Sequence, residues 1–277
     1  MNVRELLDKT APWLAAKGLA SARLEAELLL AHVLQVSRLK LYTGLDRPMA
    51  DRELEDYRGL VRRRARGEPS AYLTGSKEFY GLAMAVGPAV LIPRPETELL
   101  VDRAREFRSA RILDLCTGCG CVAVACAARL PAAQIVAVDL SAAALEVAAL
   151  NAARHGVADR IRFLSGDLFA PLQAESPFDL ILANPPYVAA GEAAGPAAHE
   201  PHLALFAGPR GIDVIARILL EAPAHLAPGA PLVMEIGEDQ EREVLALAAP
   251  GYADARVRRD LAGLPRVFEG TPTLTAG

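Results

Sequence analysis

From about Ser109 the chain alternates short apolar runs with helical stretches, and this alternation limits its folding options more than any other feature. Runs at 111–115, 134–138, 161–164, 178–183 and 232–236 have the length and branched content of buried strands. Helical patterns follow at 121–129, 142–155, 212–226 and 239–248. Strand and helix in turn at this spacing predict a parallel sheet covered on both faces, an α/β architecture. The last two strand signals, 252–257 and 265–268, flank Asp260-Leu261-Ala262-Gly263 with no helix between them. They predict an antiparallel pair at one edge of the sheet.

The first 68 residues read as helical. Leu6, Leu7, Trp13 and Leu14 recur at helical spacing, and Ser21 is placed to cap a helix carrying Leu24, Leu28, Leu29, Val33 and Leu34. A further helix over 51–66 puts Leu54, Tyr57, Leu60 and Val61 on one face. It ends in Arg62-Arg63-Arg64-Ala65-Arg66-Gly67, cations near a helix carboxyl end with a glycine after it. Those arginines serve either a solvated face or contact with an acidic partner or RNA. Over 70–98, Tyr72 to Gly75 and Glu78 to Gly81 lead into the apolar runs 82–86 and 90–92, a pattern that predicts a short β-hairpin. Ile92-Pro93-Arg94-Pro95-Glu96-Thr97-Glu98 is then a stiff connector, with Pro95 suited to the first position of the next helix. The expected organisation is a helical domain at 1–68, a β-hairpin and linker at 69–108, and the α/β domain at 109–277.

A net charge of −4 over 277 residues provides no global electrostatic case for nucleic-acid binding. No apolar run approaches the roughly 18–20 residues of a membrane span, and Met-Asn-Val-Arg-Glu lacks a signal-peptide pattern. A cytoplasmic protein without membrane attachment is expected. All cysteines lie in one segment, as Cys116, Cys119, Cys121 and Cys126. The Cys116-x2-Cys119 spacing admits a metal or redox pair, but no second pair exists elsewhere, so they are expected to pack as small side chains with no metal bound. His199 and His202, flanking Glu200-Pro201, come with no further ligands.

The chemistry gathers at strand ends, where open α/β sheets bind ligands. The run 178–183 stops at Asn184-Pro185-Pro186-Tyr187. Asn184 offers one carbonyl acceptor and an amide donor pair, able to grip a planar amide or amino group that Tyr187 can lie against. The bland alternative is a strand-ending turn. Upstream, Asp114-Leu115-Cys116-Thr117-Gly118-Cys119-Gly120 is a strand entering a glycine-bearing loop, where Gly118 and Gly120 let backbone approach a ligand. The carboxylate of Asp114 disfavours a pyrophosphate but suits a cationic head, such as the amino acid end of S-adenosylmethionine. Asp139, about 20 residues past the glycines, is placed to accept from both ribose hydroxyls, or else to cap the helix near Ser141. In Gly166-Asp167-Leu168-Phe169, Asp167 can accept from an adenine amino group while Leu168 covers its face; a turn cap is the alternative.

With these motifs the chain resembles the S-adenosylmethionine-dependent methyltransferases. Its Asn-Pro-Pro-Tyr segment resembles that of enzymes methylating planar amide or amino nitrogens, adenine-N6 and guanine-N2 enzymes among them. Gly67-Glu68-Pro69-Ser70-Ala71-Tyr72-Leu73-Thr74-Gly75, Glu78-Phe79-Tyr80-Gly81 and Leu91 to Glu98 are similar to the signature of peptide chain release factor glutamine N5-methyltransferases. Glu200-Pro201, Ala204 to Gly208 and Glu235-Ile236-Gly237 continue that similarity over nearly the whole chain. The resemblance implies a Rossmann-like class I methyltransferase sheet with a small N-terminal helical domain that docks the substrate. It implies cofactor contacts from Cys116 to Gly120, Asp139, Leu168 and Asn184, and a substrate glutamine received by Asn184, Pro185, Pro186 and Tyr187. Cys116 stands where that family commonly has glycine, and Leu168 where an aromatic can cover adenine.

The implied activity is methyl transfer to the glutamine of the Gly-Gly-Gln motif in class 1 release factors by a monomer, with at most indirect ribosome association and no direct DNA binding. Asn184 and the Pro185 carbonyl are expected to accept the glutamine N–H groups, with Tyr187 fixing the amide plane. The segment 188–211, long and rich in alanine, glycine and proline, is expected to be a lid. The competing readings are a nucleic-acid amino methyltransferase and a non-catalytic module retaining the cofactor fold.

Overall fold

The computed structural model describes residues 1–173, 175–191 and 198–273. The chain divides into two compact units, one built on Met1–Ser76 together with His199 and the other on most of the residues from Lys77 onward. The hairpin and connector at 77–108 thus belong to the second unit.

The first unit is helical. Asn2 caps α1 (Val3–Ala15), accepting from the Glu5 N–H at 2.9 Å while the Glu5 carboxylate accepts from the Asn2 N–H. This is the reciprocal pairing that satisfies two orphan donors of a helix start. Helix α2 (Ala22–Val33) begins without the expected Ser21 cap, because Ser21 (φ −102°, ψ 39°) makes no side-chain bond to the first turn. Its packing stripe also differs from expectation. Ala22, Ala26, Leu29 and Leu30 are buried, whereas Leu24, Leu28 and Trp13 are exposed. Ala22, Ala26, Leu29 and Leu30 follow the i, i+4, i+7, i+8 rule of one helical face; Leu24 and Leu28 fall on the far side of the helix. Helices α3 (Arg38–Thr43), α4 (Asp51–Arg64) and α5 (Ser70–Thr74) complete the unit. From α4, Tyr57 is fully enclosed and donates to the Ala26 carbonyl at 3.2 Å; burial pushes its phenol up to about 12. The arginine-rich end of α4 is engaged within the unit, Arg63 with Glu68 and Arg64 with Glu25.

The hairpin lies within the stretch 70–98 expected to form one, though not all of its apolar runs take part. Its strands are β1 (Ser76–Phe79) and β2 (Leu82–Ala85), and the run 90–92 is not a strand. Tyr80 (φ 53°) and Gly81 (φ 74°) make the turn. Two consecutive left-handed residues match the right-handed twist of a tight hairpin, a signal carried by Tyr-Gly rather than by apolar alternation. Pro95 opens a short 3-10 turn (Pro95–Thr97) leading into α6 (Glu98–Phe107).

The second unit alternates as expected: β3 (Arg111–Leu115), α7 (Cys121–Arg129), β4 (Gln134–Asp139), α8 (Ala142–Arg154), β5 (Ile161–Ser165), β6 (Leu180–Ala183), α9 (Asp213–Glu221), β7 (Leu232–Glu235), α10 (Glu241–Ala248), β8 (Tyr252–Arg259) and β9 (Pro265–Pro272). The seven-stranded sheet has the order β5-β4-β3-β6-β7-β9-β8, parallel except for β9, antiparallel to both β7 and β8. Helix α9 ends earlier than its apolar pattern, continuing as a 3-10 turn (Ala222–His225) where Pro223 removes a donor. Strands β6 and β7 are buried at every position, as expected where helices cover both faces.

Helices α7 and α8 meet at Gly120, whose φ is 77°. A Cβ there would lie 2.9 Å from the Ala148 Cβ, whereas one at Gly118 (φ 56°) would meet nothing within 4 Å. Gly120→Ala combines backbone strain with overpacking and is expected to cost about 2–4 kcal/mol. Gly118→Ala carries the strain alone and costs about 1–2 kcal/mol. Thermal denaturation checks this as a clearly larger fall in Tm for Gly120→Ala than for Gly118→Ala.

Candidate active site

The parallel register lines up the strand ends. Leu115 lies opposite Val138 on one side and Ala183 on the other, so the next residues, Cys116, Asp139 and Asn184, stand in a row. Asp139 pairs with Ser165, which brings Gly166-Asp167-Leu168 to the same edge. The chain runs β3 to β5 in one direction and restarts at β6 on the other side of β3. Such a switch opens a crevice at the carboxyl ends.

The loop after β3 is held from within. Asp114, buried at the strand's end, accepts from the Thr117 hydroxyl at 2.6 Å and from the Ala123 N–H at 3.2 Å. The Thr117 N–H donates to the Val138 carbonyl at 3.1 Å. Asp139 accepts from the Gly118 N–H at 2.8 Å through one oxygen and from the Ser141 N–H at 2.9 Å through the other. It thereby joins the glycine loop to β4, while Ser141 itself caps α8 through its hydroxyl. Burial raises the Asp139 carboxyl above its usual range, opposed by these backbone donors. Cys116 (φ 57°) and Leu168 (φ 47°) both adopt left-handed backbone. For Cys116 this is the physical reason a glycine would sit there at lower cost.

A cavity of about 300 Å³ opens onto this row. Cys116, Thr117, Gly118, Cys119, Asp139, Asp167, Leu168, Asn184 and Pro186 line it, and Val90, Leu91, Pro93, Leu203 and Ala204 supply apolar wall. Gly120, Pro185 and Tyr187 stand outside the lining. Asp167 is engaged by Arg217 through two bonds of 3.0 and 3.1 Å, so an adenine amino group would share that carboxylate with a guanidinium. In the segment expected to be a lid, Val188 bridges to Phe206, and Leu203 and Ala204 reach the cavity; residues 192–197 lie outside the described residues.

Several residues at the site were not assigned a role from sequence. Thr97 lines the cavity and bonds Asn184. Glu235 is buried at the end of β7 and accepts from Thr97 and Tyr187. Gln240 donates to the carbonyls of Tyr187 (3.0 Å) and Gly211 (3.1 Å) and accepts from the Gly237 N–H (2.9 Å), clamping the chain behind Asn184-Pro185-Pro186-Tyr187. The available signal for Glu235 was a carboxylate closing an apolar strand, the same signal that marks Asp114.

The four cysteines are free thiols. Burial pushes the Cys116 and Cys126 thiols up, which removes thiolate character at neutral pH. Among the described residues no group of three or more His, Cys, Asp or Glu side chains is arranged to hold a metal, and no helix is long and apolar enough to cross a membrane.

Burial also pushes the Asp114 carboxyl up to about 7, against the bonds from Thr117 and Ala123. A carboxyl whose folded value lies above its unfolded value stabilises the fold while protonated. That contribution is complete below about pH 4 and is lost as pH rises toward about 7. Wild type should therefore lose stability relative to Asp114→Asn across this window, by at most about 1.4 kcal/mol per pH unit. Denaturant midpoints of the two proteins, compared from pH 4 to 8, should converge on a constant difference above about pH 7.

Comparison with known proteins places this geometry in a family. The PrmC N-terminal domain model matches residues 5–75, and the methyltransferase small domain model matches residues 95–201. The chain is similar to the release factor glutamine methyltransferase of Geobacter sulfurreducens, 42% identical over 276 residues, 97% of this chain and 96% of that one. The protein of the same name from Bordetella pertussis is 44% identical over 256 residues, covering 90% and 94%. Among solved structures, a methyltransferase from Pyrococcus furiosus superposes with a TM-score of 0.53 at 18% identity over 70% of this chain and 91% of that one, which supports the fold. With both units matched nearly end to end, the chain belongs to the release factor glutamine methyltransferase family.

Proposed function

We propose that this protein transfers the methyl group of S-adenosylmethionine to the side-chain amide nitrogen (N5) of the glutamine in the Gly-Gly-Gln motif of class 1 peptide chain release factors, supporting translation termination. The observation that carries this reading is the similarity to proteins of that name over 97% of the chain, the helical unit included. A nucleic-acid amino methyltransferase would need only the cofactor unit to match.

The cavity suits the cofactor. The space beside Gly118 is open, Asp139 keeps lone pairs free of its two backbone donors, and the wall near Leu168 is apolar. In this reading the backbone of Cys116 to Gly120 receives the amino acid end, Asp139 the ribose hydroxyls, and Asp167 with Leu168 the adenine. Bound S-adenosylmethionine supplies an electrophilic sulfonium methyl. A carboxamide nitrogen is a weak nucleophile because its lone pair is delocalised, so the protein's task is aim. The Asn184 side-chain oxygen and the Pro185 carbonyl accept the two glutamine N–H bonds and hold the nitrogen in line, an effect that is mostly positional. The same acceptors stabilise positive charge growing on that nitrogen. Tyr187, whose hydroxyl is bound to Glu235, backs this arrangement from outside the cavity.

The helical unit is proposed to dock the release factor. The enzyme is proposed to act as a monomer in the cytoplasm, where release factors work, needing no metal, membrane or DNA contact and at most indirect ribosome association.

Asp139→Ala should weaken S-adenosylmethionine binding about 5- to 150-fold, the equivalent of roughly 1–3 kcal/mol of lost hydrogen bonding. Calorimetry checks this, and unchanged affinity refutes the ribose assignment. For the reaction itself, labelled methyl transfer to purified release factor, tRNA, rRNA and DNA should show label in release factor alone. Asn184→Ala should slow it at least about 100-fold with the fold intact. Asn184→Asp keeps an acceptor oxygen but loses the amide donor, whose second N–H would pair with the glutamine's own carbonyl, and a carboxylate facing that carbonyl is repulsive, so it should be nearly as damaging; near-wild-type turnover by that variant would rule out a two-point grip by Asn184 on the amide.

A further inference from the structure

We propose that Thr97 and Glu235 are positioning residues that set which way round the Asn184 amide faces; the inference rests on the glutamine-methylating reading above. Four side chains from three segments of the chain form one run of hydrogen bonds. The Asn184 Nδ2 donates to Thr97 Oγ1 at 3.2 Å, Thr97 Oγ1 donates to one Glu235 oxygen at 2.6 Å, and the Tyr187 hydroxyl donates to the other at 3.0 Å. Thr97 is 1% and Glu235 2% exposed, so water does not substitute for a missing partner.

The direction of the run follows from what each group can give. A carboxylate accepts only, while a hydroxyl has one proton and spare lone pairs. The short bond to Glu235 consumes the Thr97 proton, so Thr97 turns a lone pair toward Asn184. Only the amide nitrogen of Asn184 can satisfy it. The Asn184 oxygen is then forced to the opposite side, free to accept from a substrate N–H. Without this ordering, the two amide orientations differ only by rotation of a nearly symmetric group, and the wrong one presents a donor to a donor.

The Glu235 carboxyl faces two donors, Thr97 and Tyr187, the arrangement that an accepting carboxylate requires. Burial raises its carboxyl above the usual range, as does the charge of Glu96, while the Thr97 and Tyr187 donors and the charge of Arg266 oppose that rise. An amide at 235 would have the same shape but must point its NH2 at one neighbour. Toward Thr97, it frees the Thr97 proton and invites the Asn184 oxygen to turn inward. Toward Tyr187, it leaves the phenol proton buried without an acceptor, which is costly.

Two substitutions test the ordering. Thr97→Val keeps the shape and removes the hydroxyl; it should lower kcat at least about 30-fold, toward the loss of one preorganised group, while KM for release factor and the Kd for S-adenosylmethionine change less than about threefold. Thr97→Ser should recover kcat to within about threefold of wild type. Glu235→Gln should resemble Thr97→Val in kcat. An independent readout needs no substrate: hydrogen exchange of the Asn184 side-chain amide, followed by NMR, should be slow in wild type and Thr97→Ser and fast in Thr97→Val. Wild-type kcat in a folded Thr97→Val, or equal exchange in the three proteins, overturns the proposal. If release factor is not methylated at all but exchange behaves as expected, the substrate reading fails and the amide ordering stands.

Discussion

Burial of the central strands on both faces is the constraint on which the rest of the molecule depends. β6 and β7 have no exposed position, and from Ile112 to Leu115 β3 is equally enclosed. Side chains along such strands can only pack; chemistry is possible only where the strands end. Parallel register then places those ends in a row, and the reversal of strand order beside β3 opens a crevice above them. The polar groups of the candidate site, Asp114, Asp139, Asn184 and Glu235, are each the last residue of a strand, the residue just past it, or one step inside it.

A carboxylate or amide at the edge of an apolar core is costly unless its bonds are made. The structure meets that requirement by making each group serve the loop beside it. Asp114 holds the turn through Thr117 and Ala123, and Asp139 ties Gly118 to Ser141. Glu235 joins Thr97 to Tyr187, and Gln240 fastens the carbonyl of Tyr187 to that of Gly211. Ligand-facing groups are thus held rigid before any ligand arrives, the condition under which hydrogen bonds contribute most to catalysis. The left-handed backbone at Cys116 and Leu168 has the same origin, since the chain must turn sharply at the strand end to expose backbone to the cavity.

Burial also governs the cysteine cluster, whose Cys116 and Cys126 thiols it pushes up. Cys119, Cys121 and Cys126 are buried, and Cys119 and Cys121 also contribute to the cavity wall.

Periodicity and punctuation in the sequence were sufficient to determine the alternating α/β order, the antiparallel edge pair, the separate helical start and the motif at 184–187. These depend on local rules: two-residue repeats, proline stops and strand-length apolar runs. The strand-end residues Asp139 and Asn184 were legible for the same reason, because an apolar run ending in a polar residue marks an edge. Only the tertiary structure decided the rest. Which runs pair in the hairpin, Ser76–Phe79 with Leu82–Ala85 and without 90–92, was set by a Tyr-Gly turn with two left-handed residues. The buried face of α2 runs through Ala22 and Ala26 rather than Leu24 and Leu28, since small residues permit close packing. The run from Asn184 through Thr97 and Glu235 to Tyr187 joins residues up to 138 positions apart. No local pattern encodes such a contact; it exists because β7 ends beside β6 and the turn before α6 comes to rest against both.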